Sequence, residues 1–420
     1  MTNAEGPKTA ATKEAHSGKS APPLTGLRVI DLTSVIFGPM ATSMLAELGA
    51  DVIKVEPPSG DIMRHVEPIR SPGMSAIYMN ANRGKRSVVI DLKKPSGREA
   101  LLRLAETADV FVHSMRNSAA TRLGITYDDI RGLNPALIYC FACGFGSTGP
   151  YAELPAYDDI IQAACGLASL AGAADGEPRL VRSIMADKTA GLYLSNAIMT
   201  ALLARHNTGL GQYVEVPMFE CLSAFILTEH LAGASFDPVI DGPGYKRVLS
   251  MSRRAHPTKD SFIAVLPYTS AHWQRFLKLI GHDDLASAEW VSDVTQRSAR
   301  FEELYDLIAD VTPTRTTDEW IEALRRIDIP AMPVNQLDDL LRDPQLAASG
   351  LFETYEHPTE GTLHGVTSPI KFSDMDRVPG FAPALGADTR DVLSEIGYNN
   401  EAINVMNRDG SVICMQVDNE

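Results

Sequence analysis

Leu27-Arg28-Val29-Ile30-Asp31-Leu32, then residues 39–48, then Asp51-Val52-Ile53-Lys54-Val55-Glu56 set the rhythm of this chain. The first and third stretches are short, apolar and rich in β-branched residues, which predicts strands. The middle one opens on Pro39 and closes at Gly49, the punctuation of a helix. The pattern continues with strands over 87–92, 110–113, 137–143 and 212–216 and a helix over 95–107. Strands that alternate with helices predict a parallel sheet covered on both faces, so the large domain reads as α/β and Rossmann-like. Ligands in such sheets lie beyond the carboxyl ends of the strands. Attention therefore falls on residues 33–39, 57–64, 113–122 and 144–157.

Working outward, residues 1–23 hold almost nothing large and apolar and read as a disordered tail; with Glu5, Glu14 and no arginine, the tail does not resemble a mitochondrial transit peptide. Residues 24–216 form the expected large domain, and 217–259 a linker helix followed by a Gly/Pro/Arg-rich loop. Residues 260–332 read as a smaller α+β domain. The stretch 333–420, with a helix over 335–342, a strand pair near 352–372 and a terminal helix over 388–396, is expected to return to the large domain.

A chain of 420 residues with 45% hydrophobic content can bury a sizeable core. Its net charge of −15 is spread along the sequence, which argues against nucleic acid or an anionic membrane as the main partner. No apolar run reaches the roughly 18–20 residues that span a bilayer. A soluble, cytoplasmic protein is expected. The five cysteines are odd in number and sit mostly in apolar segments, which fits buried thiols better than a disulfide framework. Cys140-Phe141-Ala142-Cys143 spells C-x-x-C, yet it lies inside a predicted strand with no second pair to complete a metal site.

Gly144-Phe145-Gly146-Ser147-Thr148-Gly149 matches a dinucleotide fingerprint, but Pro150 follows at once where a helix should begin. Asn82-Arg83-Gly84-Lys85-Arg86-Ser87 gathers three cations in a turn that could hold a phosphate or could be a solvated surface. His113 ends a strand where a ligand could meet it. No H-x-x-x-H, H-E-x-x-H or G-x-S-x-G spacing occurs, which leaves zinc and serine chemistry without support. Asp187 stands in Ser183-Ile184-Met185-Ala186-Asp187-Lys188-Thr189-Ala190-Gly191, at or just before the first turn of a predicted helix. An aspartate there is a good helix cap, and it is also a carboxylate nucleophile in waiting.

Taken together, Leu24-Thr25-Gly26-Leu27-Arg28-Val29-Ile30-Asp31-Leu32, Gly38-Pro39, Leu48 to Glu56, Asn82 to Leu92, Gly144 to Tyr151, and Pro155-Ala156-Tyr157-Asp158 resemble the class III coenzyme A transferases of the CaiB/BaiF type, which include formyl-CoA transferase. The likeness runs over about residues 24–400. It implies a nucleophilic role for Asp187, with acyl-CoA and a carboxylic acid as substrates and no tightly bound cofactor or metal. By the same resemblance Ile36, Phe37, Lys85, Ser114, Met115, Arg122, Tyr157 and Asp158 match the family's CoA contacts, and the chain is expected to form an interlocked homodimer. Departures from the formyl-CoA transferase pattern include Ile36 at a glutamine position and a substrate loop that carries Tyr245, Arg247, Arg253, Arg254 and His256. Arg253 and Arg254 are expected to read the distal carboxylate of a dicarboxylic acid. Two alternatives stay open. One is an α-methylacyl-CoA racemase of the same fold, although Tyr157 stands where its histidine base would be, and tyrosine is a poor base at neutral pH. The other is a CoA-binding protein without catalysis.

Overall fold

The computed structural model describes residues 20–173 and 175–415. Most of the expected tail thus lies outside the described residues. Its last residues are held: the Ser20 amide donates to the Asp374 carbonyl at 2.7 Å.

Two compact units divide the chain. The first comprises Met1–Pro155, Asp187–Met218 and Glu353–Glu420, and the second Ala156–Ala186 and Phe219–Phe352. The expected boundaries had carried residues 156–186 with the large domain and 333–352 with the return segment; here both stretches group with the second unit.

The first unit is built on a seven-stranded sheet. Its strands are β1 (Arg28–Leu32), β2 (Asp51–Glu56), β3 (Lys85–Ile90), β4 (Val110–His113), β5 (Ile138–Cys143), β6 (Tyr213–Pro217) and β7 (Val412–Ile413). They lie in the order β7-β3-β2-β1-β4-β5-β6. The first six are parallel, and β7 caps the β3 edge antiparallel, with Val412 opposite Ile90. The 3-2-1-4-5-6 order within it is the doubly wound arrangement, whose strand order reverses between β1 and β4 and opens a crevice there. Leu32 is registered against His113 at that point.

Helix α1 (Phe37–Glu47) buries Phe37, Ala41 and Leu45, one residue per helical turn, against this sheet. It stops at Gly49, whose φ of +98° suits a residue without Cβ. Helix α2 (Pro95–Glu106) starts on its proline and buries Ala100, Leu101, Leu104 and Ala105. These join Ile30, Ile53, Val88 and Phe111 from the strands and Val392, Leu393, Ile403 and Met406 from the C-terminal helices Thr389–Glu395 and Asn400–Arg408. Each fully buried leucine in this core stabilises the fold by about 1.5–3 kcal/mol. The second C-terminal helix and β7 carry no strong sequence signal and were not expected.

The second unit holds its own core. A three-stranded antiparallel sheet, Ala331–Pro333 beside Phe262–Val265 beside His256–Pro257, is covered by helices that bury Trp273, Phe276, Leu304, Tyr305 and Trp320. Among the described residues no helix is long and apolar enough to cross a membrane.

Candidate active site

The crevice at the β1/β4 switch point rests on a buried polar floor. Asp31, with no exposure, stands one residue before the end of β1 and accepts from the Thr33 amide at 2.9 Å, the Thr42 hydroxyl at 2.6 Å and Lys85 Nζ at 2.9 Å. Lys54 on β2 donates to the Thr33 carbonyl at 3.0 Å and to Asp61 at 2.8 Å. Arg64 grips both oxygens of Glu56, each at 2.7 Å. Three carboxylates (Asp31, Glu56, Asp61) and three cations (Lys54, Arg64, Lys85) therefore balance inside the protein. Burial alone would raise the Asp31 carboxyl, but Lys85 and Lys54 outweigh it and hold the group below the usual carboxylate range. Burial likewise works against the charge on Lys54, and the facing Asp31, Asp61 and Glu56 overcome it, so its ammonium is held above the ordinary lysine value. The network fixes the turn after β1, where Val35 adopts a φ of +70°, a strained conformation for a β-branched residue.

Above this floor lies a cavity of about 500 Å³. The turns after four parallel strands meet there: Thr33 and Ser34 after β1, Gly60 to Ile62 after β2, Asp91 to Lys93 after β3, and Ser114 and Met115 after β4. Arg122, on the helix Asn117–Leu123, closes one side. Lys93 and Arg122 are exposed and, among the described residues, form no ion pair, which leaves both cations for an anionic ligand.

The sequence-predicted contacts separate in this structure. Ser114, Met115 and Arg122 line the cavity. Ile36 and Phe37 do not; they are buried at the start of α1. Lys85 does not line it either, because its ammonium donates to Asp31, to the Pro39 carbonyl at 2.9 Å and to Asn82 at 2.8 Å, which occupies all three N–H groups. Burial, against the pull of Asp31, pushes this lysine down to about 8. The basic turn as a whole is not a phosphate cradle. It lies at the amino end of β3, Arg83 pairs with Glu353, and Arg86 pairs with Asp51 and Glu395. Sequence reading passed over Lys93, although Lys93-Lys94 directly follows the strand predicted over 87–92.

Asp187 is the third residue of α3 (Met185–Thr208) and only 6% exposed. It sits inside the first turn of the helix, past the cap position. Amide groups of that turn lack helical partners, and the helix dipole favours negative charge there. The buried face of α3 runs through Ala186, Ala190, Leu194 and Ile198. One turn beyond Asp187, Gly191 comes so near α1 that a Cβ built on it would lie 3.0 Å from the Phe37 carbonyl and 2.9 Å from Met40 Cε. The same helical face thus brings Asp187 toward the start of α1, where Ile36 and Phe37 sit.

In the second unit, Tyr157 is 66% exposed and precedes the helix Asp158–Ala164. Asp158 is buried and accepts from Gln162 Nε2 at 2.6 Å. Gln162 in turn holds the Val181 amide at 2.9 Å and the Ser183 carbonyl at 3.2 Å, which fixes the strand of chain that enters α3. Sequence reading did not single out Gln162. Arg253 and Arg254 come together around a cavity of about 480 Å³ floored by Ala264 to Leu266 and Pro330 to Met332. Among the described residues neither has a carboxylate partner. The G-x-G-x-x-G loop is tied to β6 instead of opening a helix: Ser147 donates to Glu215 through its amide at 2.7 Å and its hydroxyl at 2.6 Å. Cys140 and Cys143 are both buried in β5, three positions apart and so on opposite faces. Among the described residues no three His, Cys, Asp or Glu side chains are grouped to hold a metal ion.

The family model for CoA-transferase family III matches residues 24–389, and the chain belongs to that family. It is an enzyme of the class III CoA-transferases. It is 34% identical to a succinate–glutarate CoA-transferase of Agrobacterium fabrum over 385 residues, covering 89% of this chain and 96% of the relative. A formyl-CoA:oxalate CoA-transferase of Escherichia coli is 31% identical over 420 residues, covering 93% and 99%. Among solved structures, a CaiB/BaiF family protein from Brucella suis superposes with a TM-score of 0.76 at 31% identity, covering 90% of this chain and all of that one. The Agrobacterium and Escherichia relatives are named as transferases, which does not favour the racemase reading.

Proposed function

We propose that this enzyme moves CoA from an acyl-CoA thioester to a free dicarboxylic acid through covalent intermediates on Asp187. The observation that carries the proposal is the placement of Asp187: a carboxylate almost wholly shielded from water, in the first turn of a 24-residue helix packed by Gly191 onto the start of α1. An oxygen of Asp187 attacks the thioester carbonyl, the C–S bond breaks, and a mixed anhydride and CoA thiolate result. The thiolate then attacks the aspartyl carbonyl and releases the first acid, leaving an aspartyl-CoA thioester. An incoming carboxylate repeats the two steps in reverse. Amide groups at the start of α3 stabilise the oxyanions that form, and burial of Asp187 keeps water from the anhydride.

In this reading the CoA phosphates meet Arg122 and Lys93 at the β1/β4 crevice, and Ser114 and Met115 border the same ligand. Ile36, Phe37 and Lys85 contribute by shaping and holding the surrounding turns, and Tyr157 and Asp158 of the second unit are proposed as CoA contacts on the family resemblance. Arg253 and Arg254 read the distal carboxylate of the acid, in keeping with a relative named for succinate and glutarate. We place the enzyme in the cytoplasm as an interlocked homodimer. Asp187→Ala is expected to lower CoA transfer by at least about 10⁴-fold, as removal of a nucleophile does, without loss of fold. Wild-type turnover in that variant contradicts the mechanism. An Arg253→Ala, Arg254→Ala double variant is expected to lose about tenfold or more in kcat/KM with succinate and little with a monocarboxylate, since the lost ion pair exists only for the second carboxylate. An equal effect on both acids removes these arginines from substrate recognition.

A further inference from the structure

Within the second unit, a cavity of about 330 Å³ combines two cations with aromatic walls. Arg297 is 8% exposed, and its Nη1 donates to the Ser270 hydroxyl at 2.7 Å and the Val291 carbonyl at 2.5 Å. Those two bonds fix the guanidinium plane and leave its Nε/Nη2 edge, the pair of parallel N–H groups that fits a carboxylate, without a protein partner among the described residues. Arg247 enters from the other side. Its Nε donates to the Tyr305 hydroxyl at 2.9 Å, and its guanidinium lies 5.1 Å from the Tyr268 ring centroid, with both Nη groups left over.

Neither arginine forms an ion pair among the described residues, in a chain where acids outnumber Lys and Arg by 53 to 38. Asp293, the carboxylate whose charge reaches Arg297, is engaged in capping a helix by accepting from the Gln296 amide at 2.7 Å. Burial, and then the positive charge of Arg247, both work against the charged form of Arg297. Two like charges converging on a half-enclosed space are unfavourable until an anion lies between them. The remaining wall is apolar: Trp273, Phe301, Leu304 and Val294 face the same space.

We propose that this cavity binds a small free carboxylic acid, its carboxylate held between Arg297 and Arg247 and its hydrocarbon body against Trp273 and Phe301. The site does not depend on the transfer chemistry at Asp187 and takes the acid itself, not its thioester. Heat of binding measured on the full-length chain without any acyl-CoA tests it, with hexanoate as probe and hexanamide and inorganic phosphate as comparisons. Hexanoate is expected to bind saturably, with hexanamide at least about tenfold weaker because the charge-assisted bonds are lost. Arg297→Gln and Arg247→Gln are each expected to weaken hexanoate by a similar factor, and Asp187→Ala to bind it as the wild type does. Arg247 is only half-buried, so its variant carries the test if Arg297→Gln unfolds. Equal affinity for acid and amide, tighter binding of phosphate than of hexanoate, unchanged affinity in the variants, or no saturable heat up to about 10 mM overturns the proposal. Loss of transfer in Asp187→Ala with hexanoate binding intact separates this site from the catalytic one.

Discussion

His113 ends β4 at the switch point, 1% exposed, with its ring stacked 4.9 Å from Phe141 and no hydrogen-bond partner at Nδ1. Burial pushes the imidazole down to about 4 from an ordinary 6.5. The folded protein therefore keeps this side chain neutral where the unfolded chain has already taken up a proton. Stability contributed by His113 is full above pH 6.5, falls as the pH drops toward 4, and is lost by about 3 kcal/mol below that. His113→Phe is expected to flatten the acid limb of a urea-unfolding series between pH 6.5 and 4; an unchanged limb contradicts a buried neutral histidine. Sequence position alone had made His113 a residue a ligand could meet, and its ring turned into the aromatic stack instead. The same limit applied to Lys85. A lysine in a glycine-containing turn reads as surface charge until the partner carboxylate, 54 residues away in the chain, is in view. The place of Asp187 in the first turn of a helix was legible, because the apolar spacing that follows it and its own residue type agreed on a helix start.

At the scale of elements, the approach of α3 to α1 positions the proposed nucleophile, and one missing Cβ permits it. Gly191→Val places two methyl groups where the Phe37 carbonyl and Met40 now lie. The expected cost is about 1–3 kcal/mol of stability from overpacking, measured by denaturant unfolding. Transfer activity is expected to fall further than that loss explains, since a shift of about 1 Å in a reacting group can lower a rate by about 10²-fold. Full activity with lowered stability assigns Gly191 to packing only. Six parallel strands and their helices were legible from apolar runs punctuated by Pro39, Gly49 and Pro95. β7 was not, because two residues at a sheet edge carry no periodicity of their own. The basic turn misled because charge clustering shows where cations are in sequence, whereas Glu353 and Glu395, which neutralise Arg83 and Arg86, arrive from the far end of the chain.

Over the whole molecule, the doubly wound sheet places the crevice, and the C-terminal segment completes the sheet that bears it. Leu192 and Leu203 on α3 are 56% and 65% exposed, and Phe225 on the helix Met218–His230 is 54% exposed. Large apolar side chains left in water fit the proposed homodimer, which predicts twice the monomer mass in sedimentation equilibrium; a monomer at micromolar concentration contradicts it. In the proposed mechanism Asp187 itself carries CoA during turnover. Incubation with acyl-CoA, rapid quenching, and peptide mass spectrometry test this most directly. The expected result is a CoA-mass adduct on the peptide containing Asp187, converted to the hydroxamate by hydroxylamine and absent in Asp187→Ala. Transfer that proceeds with no adduct on that peptide, or with an adduct on another residue, contradicts a covalent role for Asp187.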